Sequence, residues 1–136
     1  MRYFLAKTDP ETYTVEQLKA EKRTTWDGVR NPQALRAIRA MEPGDAVFIY
    51  HSMGQSAIVG LAKVTSPSRP DPNDAKCAVV DLEFVTLLEP NTTLAEVKSS
   101  GLFADFALVR QSRLSTMEVP EEFVAWLRKR YPKVKL

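Results

Sequence analysis

The order of apolar and polar positions divides the chain into short elements. Residues 2–7 alternate and predict a strand. Thr14-Val15-Glu16-Gln17 has capping-box spacing, in which the Thr and Gln side chains satisfy free backbone N–H groups, so a short helix is expected to about Lys22. Asn31-Pro32 joins a strong N-cap to proline at the first helical position. The helix it opens buries Ala34, Leu35, Ile38 and Met41 and shows Gln33, Arg36 and Arg39 on its other face. Glu42-Pro43-Gly44-Asp45 ends it in a turn.

Two strands, Ala46–Ser52 and Ala57–Thr65, follow with a glycine-containing loop at Met53–Ser56 between them. Residues 66–74 carry three prolines and read as a surface loop. Lys76–Leu88 predicts a long strand with Ala78, Val80, Leu82 and Phe84 on one face. Thr93-Leu94-Ala95-Glu96 is a second capping box. Gly101–Val109 fits neither period, Arg113–Val119 reads as a last strand, and Pro120 opens a helix that turns Phe123, Trp126 and Leu127 inward. Five short strands with three to five short helices imply an α+β domain over residues 1–136, a small barrel-like sheet with helices over its openings.

Composition adds limits. The 136 residues are 44% hydrophobic and 26% charged, ordinary for a soluble globular protein. No apolar run approaches the ~18 residues of a membrane span, and the start is too short for a signal-peptide core. One Cys (Cys77) and one His (His51) exclude an intrachain disulfide and a Cys/His zinc site, and suit a reducing, intracellular compartment. Net charge is only +2, but its distribution is uneven. Residues 70–109 hold 2 basic and 7 acidic groups, whereas residues 110–136 hold 7 basic and 3 acidic. Such ends could fold into one basic face that attracts phosphate, or into a mixed solvated surface.

Catalytic motifs are missing. His51 and Ser52 are neighbours on a predicted strand, so they face opposite ways and cannot pair as base and nucleophile. There is no Gly-x-Ser-x-Gly elbow, no Walker loop and no Gly-x-Gly-x-x-Gly, and no spacing singles out a pair among the 17 carboxylates. No metal or cofactor is called for.

Thr25-Trp26-Asp27-Gly28-Val29-Arg30-Asn31 is more pointed. A Trp precedes a Gly turn that leads into a helix start beside Arg30. Free backbone N–H groups and positive partial charge at such a start can hold phosphate, and the indole can stack on a base. The plainer alternative makes Trp26 a core residue and Arg30 a surface charge. Tyr50 and Ser52 share a strand face that could converge on this loop. Gly60 inside a strand marks a close backbone approach or a bend. Lys7-Thr8-Asp9-Pro10 and Arg110-Gln111-Ser112-Arg113 add cations and hydroxyls, or are simply polar turns.

In order and spacing, Arg2–Pro10, Trp26-Asp27-Gly28-Val29-Arg30-Asn31, Gly44-Asp45 with Phe48–Ser52, Ile58-Val59-Gly60-Leu61-Ala62 and Ser112-Arg113-Leu114-Ser115 resemble the successive motifs of the EVE domain. The resemblance spans nearly the whole chain. It implies a PUA-like pseudo-β-barrel of about five or six strands with short helices around it. It implies kinship with YTH domains, which read methylated adenine in RNA through an aromatic pocket. It further implies a module that reads a modified base of DNA or RNA in the cytoplasm, or in the nucleus of a eukaryote. Defence or RNA-processing proteins would be possible companions.

Carried over by position, Trp26 would be the stacking wall. Thr8, Asp9, Asp27, Gly28, Val29, Asn31, Tyr50, His51 and Ser52 would line the base pocket, and Lys7, Arg30, Arg36, Arg110 and Arg113 would take phosphate or order the pocket. This chain departs from many members by lacking an aromatic before the central strand, where it has Asp74-Ala75-Lys76-Cys77-Ala78. A carboxylate accepts from an exocyclic amine and repels phosphate, so Asp9 and Asp27 would favour an amino-bearing base, provided neither is spent on Arg30 or on capping the helix. The leading expectation is thus a non-catalytic base-binding module. An enzyme acting on a nucleobase, with His51 or Asp9 as acid or base, and a domain binding protein or a small molecule are the alternatives.

Overall fold

The computed structural model describes all 136 residues, Met1–Leu136. Seven strands and five helices follow one another as β1 (Tyr3–Thr8), α1 (Val15–Glu21), β2 (Arg23–Trp26), α2 (Pro32–Ala40), β3 (Ala46–His51), β4 (Ala57–Val64), β5 (Arg69–Asp71), β6 (Asp74–Thr93), α3 (Leu94–Ser99), α4 (Ala107–Arg110), β7 (Thr116–Glu118) and α5 (Glu121–Arg130). The architecture is α+β. The sheet runs β2-β6-β4-β3-β1-β7, with β5 paired to β6, and only the β1–β3 pair is parallel.

The strand count exceeds the five or six expected. The additions are β2 and β5, both short and both paired to β6, which runs 20 residues rather than the expected 13. β5 lies inside the proline-rich 66–74 segment. It is an exposed, three-residue strand that pairs only with β6, an edge setting in which proline is tolerated. The last strand is shorter than read from sequence, three residues at Thr116–Glu118, and the segment before it forms a turn.

Helix starts follow local chemistry. Thr14 and Gln17 form a full capping box, as do Thr93 and Glu96, and Asn31 Oδ1 accepts from the N–H groups of Gln33 and Ala34. Apolar faces then close the core. Phe4, Leu5, Phe48, Ile58, Leu82, Phe123 and Leu127 are fully buried, each stabilising by about 1.5–3 kcal/mol relative to exposure. Trp126 is only half-buried, packed against Phe103 and Phe123. Gly60 lets α1 lie on the sheet, because a Cβ there would sit 2.6 Å from Val15 Cγ2. No helix is long and apolar enough to cross a membrane.

The register of β4 against β6 shifts twice, between Ile58 and Gly60 and between Leu61 and Ala62. Such irregularities bend a strand and raise its twist. The sheet's two ends, β2 on one side and β1 with the segment before β7 on the other, both contribute to one pocket.

Candidate functional site

That pocket has a volume of about 320 Å³, near the lower end of the ~300–1,000 Å³ range of small-ligand sites. Lys7 and Thr8 come from the end of β1, Thr12 and Tyr13 from the loop after it, and Thr24, Thr25 and Trp26 from β2. Asp27, Gly28 and Val29 of the following turn and Ser115 before β7 complete the lining.

Trp26 is 7% exposed: it packs in the core, as the plainer reading has it, and also lines the pocket. Its strand pairing opposite Val80 of β6 fixes its backbone. Tyr13 stands nearly perpendicular to it, with ring centroids 6.2 Å apart and planes at 82°. Edge-on aromatic pairs of this kind contribute about 0.5–1.5 kcal/mol beyond area burial. Tyr13 is held by its neighbours. Its hydroxyl donates to Glu21 Oε1, and burial first, then that bond, keeps the phenol protonated to higher pH than usual. Thr8 Oγ1 donates to the Tyr13 carbonyl at 2.9 Å. Sequence reasoning missed Thr12, Tyr13 and Thr24, and it gave Thr25 and Ser115, which lie within its motifs, no place in the pocket. Tyr13 lies between a proline turn and a capping box, where no periodicity marks a wall residue.

Asp9 builds this loop rather than lining the pocket. Its carboxylate accepts from Glu11 N–H at 2.9 Å and its carbonyl accepts from the N–H groups of Thr12 and Tyr13. Asp27 is placed differently: it is exposed, lines the pocket, and enters none of the chain's ion pairs. Arg30 turns instead to Asp74, at 3.8 Å. Asn31 caps α2 and does not line the pocket, so its side chain takes two of the N–H groups that an open helix start would offer to phosphate. Gly28 turns the chain with φ +78°, a region that costs other residues roughly 1–2 kcal/mol.

Lys7 is the pocket's cation. Its Nζ donates to the Ser112 carbonyl at 3.1 Å and lies 5.4 Å from the Tyr50 ring centroid. Burial lowers its pKa from the ordinary lysine range. Tyr50 is therefore a support behind Lys7 and not a lining residue. Ser52 donates its N–H to the Thr8 carbonyl at 3.0 Å and pins the end of β1.

His51 faces elsewhere. It lines a separate depression with Val15, Glu16, Val59, Leu87 and Asn91, and its Nε2 accepts from Val15 N–H at 3.1 Å. Arg36 lies on α2 over another depression, with Phe4, Met117 and Glu118. Arg110 pairs with Asp105 at 3.6 Å, while Arg113 is exposed and has no carboxylate partner. The 74–78 segment, where many members of the family that the chain resembles place an aromatic, does not reach the pocket.

Comparisons with known proteins place the chain as a whole. The sequence model of the EVE domain matches residues 2–130. Human thymocyte nuclear protein 1 is 31% identical, over 96% of this chain and 75% of that protein. Among solved structures, a protein of Rhodopseudomonas palustris aligns with TM-score 0.91 and 34% identity, covering 100% of this chain and 97% of that one. Human thymocyte nuclear protein 1, solved in complex with DNA containing 5-methylcytosine, aligns with TM-score 0.88 and 27% identity, over 99% of this chain and 100% of that one. The chain belongs to the EVE domain family.

Proposed function

We propose that residues 1–136 act as a single non-catalytic module that captures one modified nucleobase of DNA or RNA in the pocket between Tyr13 and Trp26. The observation that carries this reading is the indole of Trp26, fixed by the core yet walling a pocket of about 320 Å³. Stacking on such a wall contributes about 1–3 kcal/mol per base in single-strand binders. The human relative solved with 5-methylcytosine DNA supports the same ligand class.

Capture is easiest from a single strand or at a weakened pair, where unstacking costs only a few kcal/mol. Arg30 follows Val29 directly and Arg113 lies two residues before Ser115, so both cations extend from segments that line the pocket. Both are assigned to the flanking phosphates, and Lys7, inside the pocket, to the base. The non-catalytic reading is supported by His51, whose Nε2 is occupied by the Val15 N–H away from the pocket. A nucleic-acid ligand suits a protein of the cytoplasm, or of the nucleus in a eukaryote, as the name of the human relative has it.

The test is equilibrium binding of a single-stranded oligonucleotide carrying one 5-methylcytosine, to the native chain and to Trp26→Leu. Losing 1–3 kcal/mol corresponds to roughly 5–150-fold weaker binding. Unchanged affinity in the folded variant overturns the proposal. A change in oligonucleotide mass on incubation would establish the enzymatic alternative.

A further inference from the structure

The geometry points to a reading of the base edge by Asp27 and Lys7, so that the pocket takes an amino-bearing base and discriminates against one that presents a carbonyl and an imino N–H in its place. This rests on the base-capture reading above and adds which chemical class of base is held.

The pocket lining contains one carboxylate, Asp27, and one cation, Lys7. A carboxylate at neutral pH only accepts hydrogen bonds, and an ammonium only donates them. Two of the other polar side chains are already committed. Thr8 Oγ1 donates to the Tyr13 carbonyl, and Thr25 Oγ1 donates to Asp81 Oδ1 at 2.8 Å. Lys7 spends one of its three N–H groups on the Ser112 carbonyl and keeps two for a ligand.

Two structural roles could have consumed Asp27, and neither does. Arg30 pairs with Asp74, and the helix after the turn is capped by Asn31. Asp27 is exposed with no partner in the chain, and an acidic group repels phosphate, so the ligand group that suits it is a donor on the base. Cytosine and adenine supply one through the exocyclic amine, beside a ring nitrogen that accepts from Lys7. Thymine and uracil turn a carbonyl oxygen toward the carboxylate, which leaves two acceptors facing each other and no proton between them.

5-Methylcytosine and thymine carry the same methyl group and differ only along this edge, which makes them the decisive pair. Three single-stranded oligonucleotides, identical except for 5-methylcytosine, thymine or an abasic residue at one position, are titrated by fluorescence anisotropy against the native chain, Asp27→Asn and Trp26→Leu. Asn offers both an N–H and a C=O, and position 27 is exposed, so the variant is expected to fold; circular dichroism checks it. Removing a negative charge strengthens binding to any polyanion, so the affinity ratio is read rather than the absolute affinity.

The native chain is expected to prefer 5-methylcytosine over thymine by about tenfold or more, as one good base-edge contact provides. Asp27→Asn is expected to bring the ratio close to one, mainly by accepting thymine, while Trp26→Leu weakens both. Equal affinity for the two bases, with both above the abasic control, overturns the edge reading and leaves base capture standing. A ratio unchanged by Asp27→Asn overturns the role of Asp27. If 5-methylcytosine and the abasic strand bind alike, base capture fails and this inference fails with it.

Discussion

Tyr13 stands at 82° to Trp26 with ring centroids 6.2 Å apart, and the pocket opens beside that corner. The two rings come from segments 13 residues apart in sequence, joined by α1. Glu21, at the end of that helix, holds the Tyr13 hydroxyl, and Thr8 holds its carbonyl. The aromatic corner is thus fixed by polar contacts outside it, which leaves the inner surfaces free for a planar ligand.

Trp26 carries two loads, and its substitutions should separate them. Only 7% of it is exposed, so Trp26→Ala is expected to lower stability by about 3–5 kcal/mol, as other aromatic-to-alanine core changes do. Trp26→Leu refills much of the volume and should retain the fold while removing the stacking face. Denaturant midpoints of the two variants, measured beside the native chain, check this ordering.

Gly60 should be intolerant of even a methyl group. A Cβ there meets Val15 Cγ2 at 2.6 Å, so Gly60→Ala forces the Val15 side chain or α1 to shift, and overpacking of this sort costs about 1–3 kcal/mol. Val15→Ala removes the obstructing atom at the expense of a small cavity. The double variant is expected to be less destabilised than the sum of the two single changes, which a thermal-denaturation cycle measures.

His51 should couple stability to pH. Its Nε2 accepts from Val15 N–H, so the ring is neutral in the fold, and burial lowers its pKa below the ordinary value of about 6.5, against a weaker upward pull from Glu16. Between the folded and unfolded pKa the unfolded chain binds more protons. Stability is therefore fully present above about pH 6.5, declines as the pH falls, and levels off below the folded pKa. Glu96 and Glu118, lowered by hydrogen bonds from the Thr93 backbone and from Arg2, contribute losses only below about pH 4.5. His51→Gln keeps an acceptor and is expected to flatten the profile from pH 6.5 to 5.

Legibility in the sequence followed the range of the forces involved. The capping boxes at Thr14–Gln17 and Thr93–Glu96 and the Asn31-Pro32 start are readable because each is complete within four residues. β2 was not, because Arg23-Thr24-Thr25-Trp26 becomes a strand only through pairing with residues 80–83 of β6. At the site, Trp26 and Asp27 stood out by their motif, whereas Tyr13 reaches the pocket only once α1 folds back on β2. Asp9 and Asp27 looked equivalent on paper. An Asx turn onto Glu11 occupies the first and nothing in the chain occupies the second.

Salt should report the phosphate contacts. Affinity for a single strand is expected to fall with rising salt, with log–log slope of about −0.7 per phosphate neutralised. Arg113 has no carboxylate partner and extends from the segment that carries Ser115, so Arg113→Ala should reduce the slope by about one such contact. Arg36→Ala, on the far face of α2, should leave it unchanged. Binding that does not respond to salt would favour an apolar protein or metabolite ligand.

The central claim is that a base settles against the indole at position 26. The chain has two tryptophans, and Trp126 packs against Phe103 and Phe123 and does not line the pocket, so Trp126→Phe leaves Trp26 as the sole indole emitter. Titrating that variant with the 5-methylcytosine oligonucleotide is expected to quench its fluorescence saturably, with the same midpoint as binding, and the abasic strand is expected not to. Binding that proceeds to saturation while the Trp26 emission stays constant would contradict the account.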